Sequence, residues 1–260
     1  MASASTWVYA ERAGRALRLH LWRPEGVVAP PVVLHLHGGG WRSGGALDEA
    51  PRHLLDRGFA VAAAEYRFSR EARFPAQVID ATAAARWLAD HAEALGVDGA
   101  RLALHGVSAG GHLATILALT ATRRDRPSPF GDPPMISACV DLYGPTDFNA
   151  LLGSSRRVRH GHARAPEVEL IGGPIPRHPG RVAEANPIGY VHGGAPPTLI
   201  VQGEADDFVP PSQSRLLAAA LRSAGADVRL MMLPGVGHGG PAFGSDAVRA
   251  AIGGFLGERV

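Results

Sequence analysis

Alternating and unbroken apolar runs divide this chain into strands, and amphipathic segments between them divide it into helices. Residues 7–11 and 16–22 are predicted as two strands around the turn Ala13-Gly14-Arg15. In the second, Leu17, Leu19 and Leu21 share one face while Arg18 and His20 take the other. Residues 32–37 are β-branched and aliphatic without alternation, the pattern of a strand covered on both faces. Further strands are expected at 59–65, from Leu102 onward, and at 136–143, 198–202 and 228–233. Helices are expected at 48–57, closed by Gly58, and at 75–95, stopped by Gly96. Others are expected after Ser108, at 211–224 and at 242–256. The long one sets Val78, Ala81, Ala85, Leu88 and Ala92 near a common face. Residues 24–31 and 127–134 read as loops, and 144–192 has no strand period and much Gly, Pro and Arg. Strands alternating with helices imply a mostly parallel sheet covered on both faces. Such sheets bind ligands at the carboxyl ends of their strands.

Composition narrows this picture. A length of 260 residues suits one larger domain with a sizeable core, and neither an internal repeat nor a linker interrupts it. A formal net charge of +2 gives no argument for a nucleic-acid or membrane partner. There is no lysine, and all 26 basic residues are arginine. Beside abundant Ala, Gly and Pro this reads as codon bias, so the arginine count carries little functional information. The single cysteine, Cys139, excludes an internal disulfide, fits a reducing compartment and reads as a small buried hydrophobe. Residues 1–11 lack the basic and apolar regions of a signal peptide, and no apolar run reaches membrane-spanning length. A cytoplasmic protein acting on a small molecule is expected, and the oligomeric state is not legible.

The chemistry centres on residues 102–114, where an apolar run meets Gly106-Val107-Ser108-Ala109-Gly110 and then an Ala/Leu-rich helix. This is the sequence form of a nucleophile elbow, a turn so tight that only small neighbours let the strand and helix backbones pass. A serine hydroxyl needs a base, usually a histidine oriented by a carboxylate. Both candidates lie in loops just after predicted strands. The segment from Gly203 to Pro210 offers Asp206 and Asp207, and the spacing Gly-x-x-Asp-x-x-Val-Pro favours Asp206. Gly237-His238 follows the last strand, which singles out His238 among twelve histidines. His37-Gly38-Gly39-Gly40 ends a buried strand. Its consecutive glycines allow backbone N–H groups to turn toward a developing oxyanion, so Gly39, Gly40 and Ala109 are the expected donors.

Together these residues resemble the α/β-hydrolase superfamily. More narrowly they resemble bacterial carboxylesterases related to hormone-sensitive lipase and to the feruloyl/acetyl-xylan esterase-like group. The matches run in order through nearly the whole chain. They are His37 to Trp41, Tyr66-Arg67, Phe74-Pro75 with Asp80 and Trp87, Gly106 to Gly110, Asp147-Phe148, Pro187-Ile188, Gly203 to Pro210 and Gly237-His238. The resemblance implies an α/β-hydrolase fold: a mostly parallel eight-stranded sheet with helices on both faces. It would form one domain over 1–260 with a lid-like insertion at about 144–192. It also implies a serine carboxylesterase for small acyl esters, with Ser108, Asp206 and His238 as triad and no cofactor or metal. An arylformamidase-like amidase with the same triad is the alternative, and a non-catalytic binding protein on this fold a third. Strands begin near Trp7, which departs from the long N-terminal cap of hormone-sensitive-lipase relatives and implies a more open site. Trp41 follows the glycines and either lines the substrate pocket or fills the core.

Lesser features have plainer readings. Residues 154–164 form an arginine-rich stretch, either a solvated lid loop or a basic rim for an anionic substrate. His160-Gly161-His162 lacks the acidic or thiol neighbours that would complete a metal site. Glu65-Tyr66-Arg67 reads as structural support for the glycine loop. Without lysine the Gly-rich tracts do not form a phosphate loop.

Overall fold

The computed structural model describes residues 4–123, 125–154 and 160–260. Among them eight strands pair into one sheet. The strands are β1 (Ser5–Arg12), β2 (Arg15–Trp22), β3 (Pro31–Leu36), β4 (Ala60–Ala64), β5 (Asp98–Val107), β6 (Ala138–Leu142), β7 (Thr198–Gly203) and β8 (Val228–Leu233). Their spatial order is β1-β2-β4-β3-β5-β6-β7-β8. The β1–β2 hairpin joins β4 in antiparallel fashion, and every pair from β4 to β8 is parallel.

Strand alternation divides the core into two layers. Val32, Leu34 and Leu36 of β3 join Leu102 and Leu104 of β5 on one side, against α1 (Ala76–Asp90) and α3 (Ala109–Ala121). Val33, Ala103, Val107, Val140 and Val201 point to the other, where α8 (Asp246–Gly257) brings Val248, Ile252 and Phe255. Helix α3 is buried along all but its last residue, as its all-round apolar sequence requires of a helix enclosed by layers. No helix among the described residues is long and apolar enough to cross a membrane.

Several expected elements are corrected. The helix over 48–57 is reduced to a short 3-10 turn, Arg52–Arg57. Asp48 turns its carboxylate back to the Gly45 N–H at 2.8 Å, Glu49 is left-handed at φ 56°, and Pro51 lacks an N–H, so no α-helix passes through. The helix over 75–95 breaks at His91 into α1 and α2 (Ala92–Leu95). There the His91 ring lies on Trp87 and bonds its carbonyl. Strand β5 begins at Asp98, and β6 stops before Tyr143, which is left-handed at φ 46°. The closing helix over 242–256 is a 3-10 turn, Pro241–Gly244, then α8, whose N-cap Ser245 accepts from the Val248 N–H.

The stretch 144–192 connects β6 to β7 and carries short helices: α4 (Phe148–Leu151), α5 (Pro166–Ile171) and α6 (Pro179–Ala185). Its two ends are tied to each other. Asn186 accepts from the Phe148 N–H at 2.9 Å and donates to Asp147 at 3.0 Å. Gln213, in the first turn of α7 (Pro211–Ser223), accepts from the Thr146 and Asp147 N–H groups, both at 2.8 Å.

Candidate active site

Ser108 sits between β5 and α3 with φ 53° and ψ −114°, a conformation that L-residues rarely adopt. The turn holds because Gly106 and Gly110 have no side chain. A Cβ on Gly106 would strike the Gly110 carbonyl, and one on Gly110 the Leu36 carbonyl. Ser108 is 8% exposed and opens onto a cleft of about 390 Å³ at the carboxyl ends of the parallel strands.

The loops after β7 and β8 bring Asp206 and His238 to it. His238 Nε2 lies 2.9 Å from Ser108 Oγ, and His238 Nδ1 lies 2.8 Å from Asp206 Oδ2. The Asp206 carboxylate is fully buried and held by four donors. Oδ1 accepts from the Phe208 and Val209 N–H groups, both at 2.8 Å; Oδ2 accepts from His238 and, at 3.1 Å, from the Gln202 amide. Gln202 is oriented in turn by the Ser214 hydroxyl at 2.7 Å. With a carboxylate at Nδ1, His238 carries its proton there, leaving Nε2 free to accept from Ser108. Asp207 points to the exposed side of the loop. Tyr143 and Phe208 flank the imidazole, with ring centroids 4.7 and 4.9 Å away.

The glycine loop after β3 closes the other side. Gly39 takes φ 109° and Gly40 φ 60°, and a Cβ on Gly39 would strike the Ser43 carbonyl. Ala109 opens α3, so its N–H is one of the helix's first-turn donors. The N–H groups of Gly39, Gly40 and Ala109 have no acceptor among the described residues. The loop is anchored from below by Tyr66, whose hydroxyl donates to the His37 carbonyl at 2.9 Å and whose ring stacks on His37. Arg67 follows with a two-pronged grip on buried Asp80, at 2.7 and 2.8 Å.

Trp41 is corrected as a substrate-binding residue. It is 4% exposed, does not line the cleft, and packs edge-on against His112 and Phe148. Its left-handed backbone (φ 58°) turns the side chain down into the core, which settles the choice the sequence leaves open. His112, which follows the elbow glycines, donates Nε2–H to the Ala185 carbonyl at 2.7 Å and so ties α3 to the insertion. Burial lowers its pKa to about 4.

The cleft walls include residues that the sequence does not single out: Arg42, Glu49, Tyr143, Pro166 and Phe208. Burial pushes the Glu49 carboxyl upward from its ordinary range, and the Tyr143 hydroxyl lies 3.5 Å from it. His160 is spent on the Phe208 carbonyl at 2.9 Å and on Glu167 at 3.3 Å, and His162 accepts from the Arg164 N–H. Among the described residues no cluster of three or more His, Cys, Asp or Glu is arranged to hold a metal. Residues 155–159 of the arginine-rich stretch lie outside the described residues.

This geometry can activate a hydroxyl, hold an oxyanion and protonate a leaving group. Comparison with known proteins places the chain beside esterases. The BD-FAE family model matches residues 19–221. The ethyl acetate hydrolase of Pseudomonas putida is 33% identical, over 87% of this chain and 72% of its own length. Esterase LipC of Mycobacterium tuberculosis is 29% identical over 85% of this chain, but the aligned part spans only 56% of LipC. A truncated carbohydrate esterase from gut microbiota superposes with a TM-score of 0.85 at 29% identity, covering 99% of this chain and 96% of that one.

Proposed function

This chain belongs to the BD-FAE family, and from that premise we propose that it is a serine carboxylesterase hydrolysing small acyl esters through an acyl-enzyme. The observation that carries the reading is the continuous relay Ser108 Oγ to His238 Nε2 at 2.9 Å and His238 Nδ1 to Asp206 Oδ2 at 2.8 Å. Ser108 Oγ attacks the ester carbonyl carbon as His238 takes its proton. Asp206 holds the tautomer and stabilises the imidazolium. The carbonyl oxygen becomes an oxyanion facing the N–H groups of Gly39, Gly40 and Ala109. Loss of one such donor costs roughly 2.7–4 kcal/mol in the transition state. Collapse breaks the bond to the leaving oxygen, which takes the proton from His238. Water then repeats the sequence on the acyl-serine, releasing the acid and restoring the Ser108 hydroxyl. The connection between β6 and β7, residues 144–192, acts as a lid-like wall within one domain: its Pro166 stands over Gly40.

The test is hydrolysis of p-nitrophenyl acetate by wild type beside Ser108→Ala. The expected result is turnover in the wild type, with an acyl-enzyme burst, and none above buffer in the variant. Full turnover by Ser108→Ala refutes the proposal. Absent wild-type turnover of esters, with hydrolysis of a formyl anilide that needs Ser108, reassigns the same triad to an amidase.

A further inference from the structure

A second cavity, of about 650 Å³, adjoins the Ser108 cleft, and Arg42 lines both. Arg70, Arg73 and Arg164 also line it, against a single carboxylate, Glu169. Glu169 stands 3.7 Å from Arg42, which also donates to the Arg164 carbonyl at 3.0 Å. Among the described residues Arg70, Arg73 and Arg164 have no ion-pair partner. The nearby carboxylate Glu71 is taken up by Arg15, and Arg70 lies over the Phe68 ring. A wall with this excess of positive charge attracts anions, and Arg70, Arg73 and Arg164 present their guanidiniums at its exposed side.

Ser69 points independently to a ligand. It lines the same cavity and is 5% exposed, its N–H is fixed to the Trp41 carbonyl at 2.8 Å, and its hydroxyl has no partner among the described residues. A buried hydroxyl without an acceptor is unfavourable in isolation, and a χ1 turn of Ser69 into the cavity gives it an oxyanion acceptor. The hydroxyl and the guanidiniums are donors of the kind that recognise a carboxylate or another oxyanion.

We propose that this cavity binds an anionic group carried by the ester substrate, with the scissile bond at Ser108 and Arg42 bridging the two spaces. The proposal rests on the esterase reading and gives it a substrate class: esters with a carboxylate or similar oxyanion beyond the reacting carbonyl. The anion belongs to either the acyl or the alcohol half, and the probes separate these sources.

Rates are followed by proton release. Monoethyl succinate, glutarate and adipate are compared with ethyl butyrate for the acyl half. For the alcohol half, 4-acetoxybenzoate is compared with 4-acetoxybenzamide. At least one charged probe is expected to exceed its neutral partner by roughly tenfold in kcat/KM, the scale of a charge-assisted contact. That ratio, not the absolute rate, falls toward one in Arg70→Gln/Arg73→Gln and at 0.5 M salt. It also falls in Ser69→Ala. Ratios at or below one for every charged probe, or a ratio indifferent to the double substitution, overturn the proposal. Absence of turnover of the neutral esters is instead a failure of the esterase reading. The cavity is then judged by calorimetric binding of glutarate to Ser108→Ala, which must weaken about tenfold on adding Arg70→Gln/Arg73→Gln. No binding of glutarate overturns the proposal on its own.

Discussion

Asp206→Asn preserves the size of the side chain and reverses the chemistry of one atom. Oδ1 of Asp206 accepts from the Phe208 and Val209 N–H groups at 2.8 Å each, so the amide oxygen of the variant must occupy that place. The amide NH2 then stands where Oδ2 was, facing His238 Nδ1 at 2.8 Å and the Gln202 amide nitrogen at 3.1 Å. A donor there requires an unprotonated Nδ1. The imidazole proton moves to Nε2, which now donates to Ser108 and cannot receive its proton. The expected loss is about 10⁴ in kcat, the scale known for a mistautomerised triad histidine, or about 5.5 kcal/mol of barrier. The NH2 also opposes the Gln202 donor, so about 1–3 kcal/mol of stability is lost with it. Initial rates on p-nitrophenyl acetate at pH 8, beside a thermal melt showing the variant folded, measure both. Asp207→Asn, on the exposed neighbour, is the control. An Asp206→Asn enzyme keeping a tenth of the wild-type kcat, or an equal loss in Asp207→Asn, refutes the assignment of the acid and the tautomer argument.

Other perturbations probe the frame beneath the site. Gly110→Ala drives a Cβ into the Leu36 and His37 carbonyls, which are backbone and cannot swing aside. A loss of at least about 3 kcal/mol is expected in urea unfolding. Arg67→Met leaves the Asp80 carboxylate, with no solvent exposure, to Arg12 at 3.3 Å and the backbone N–H of residue 67 at 3.1 Å. It should cost about 3–5 kcal/mol, most of it recovered in Arg67→Met/Asp80→Leu. Burial lowers the pKa values of His35 and His112 to about 4. The unfolded chain therefore binds protons first, and stability falls as pH drops from about 6.5 to 4, by up to about 1.4 kcal/mol per pH unit for each histidine. Asp141 has the opposite sign: burial raises its pKa to about 7, so its contribution is complete at acid pH and is lost as pH rises from about 4 to 7. Asp141→Asn should thus gain a few kcal/mol on wild type between pH 5 and pH 8 in urea titrations, and an equal difference at both pH values contradicts the buried-acid reading.

The parallel frame was legible because its strands are continuous apolar runs and its turns carry Gly and Pro. The order of the site was legible for a related reason: Ser108, Asp206 and His238 each follow a strand whose end is marked in the sequence, and the structure brings all three within hydrogen-bond distance. Trp41 was open because its destination depends on the sign of one backbone angle, φ 58°, which no side-chain pattern records. The helix expected at 48–57 failed similarly, since propensity does not register a left-handed Glu49 or an Asp48 that bonds backward to Gly45. Gln202, Tyr143 and Phe208 gain their place only when separate loops converge. The helices of 144–192 are too short, with prolines at the first turns of α5 and α6, to leave a readable period.

The ties at the two ends of that stretch have a consequence for redesign. Asp147, Phe148 and Asn186 are bonded to one another, and Gln213 clasps the entry from the sheet side. Entry and exit are therefore spliced at one fixed joint, so the length of chain between them is nearly uncoupled from closing the loop. Meanwhile Ser214, the next residue of the same helix turn, steadies Gln202 and through it Asp206. The ends of segment 149–185 are thus set independently of its interior, while that interior packs Leu170, Ile171 and Val182 into the core and holds His112 through the Ala185 carbonyl. Sequences exchanged between 148 and 186 inherit a preformed joint but must restore this packing, whereas a cut two residues wider removes Asp147 and Asn186 and with them the joint itself.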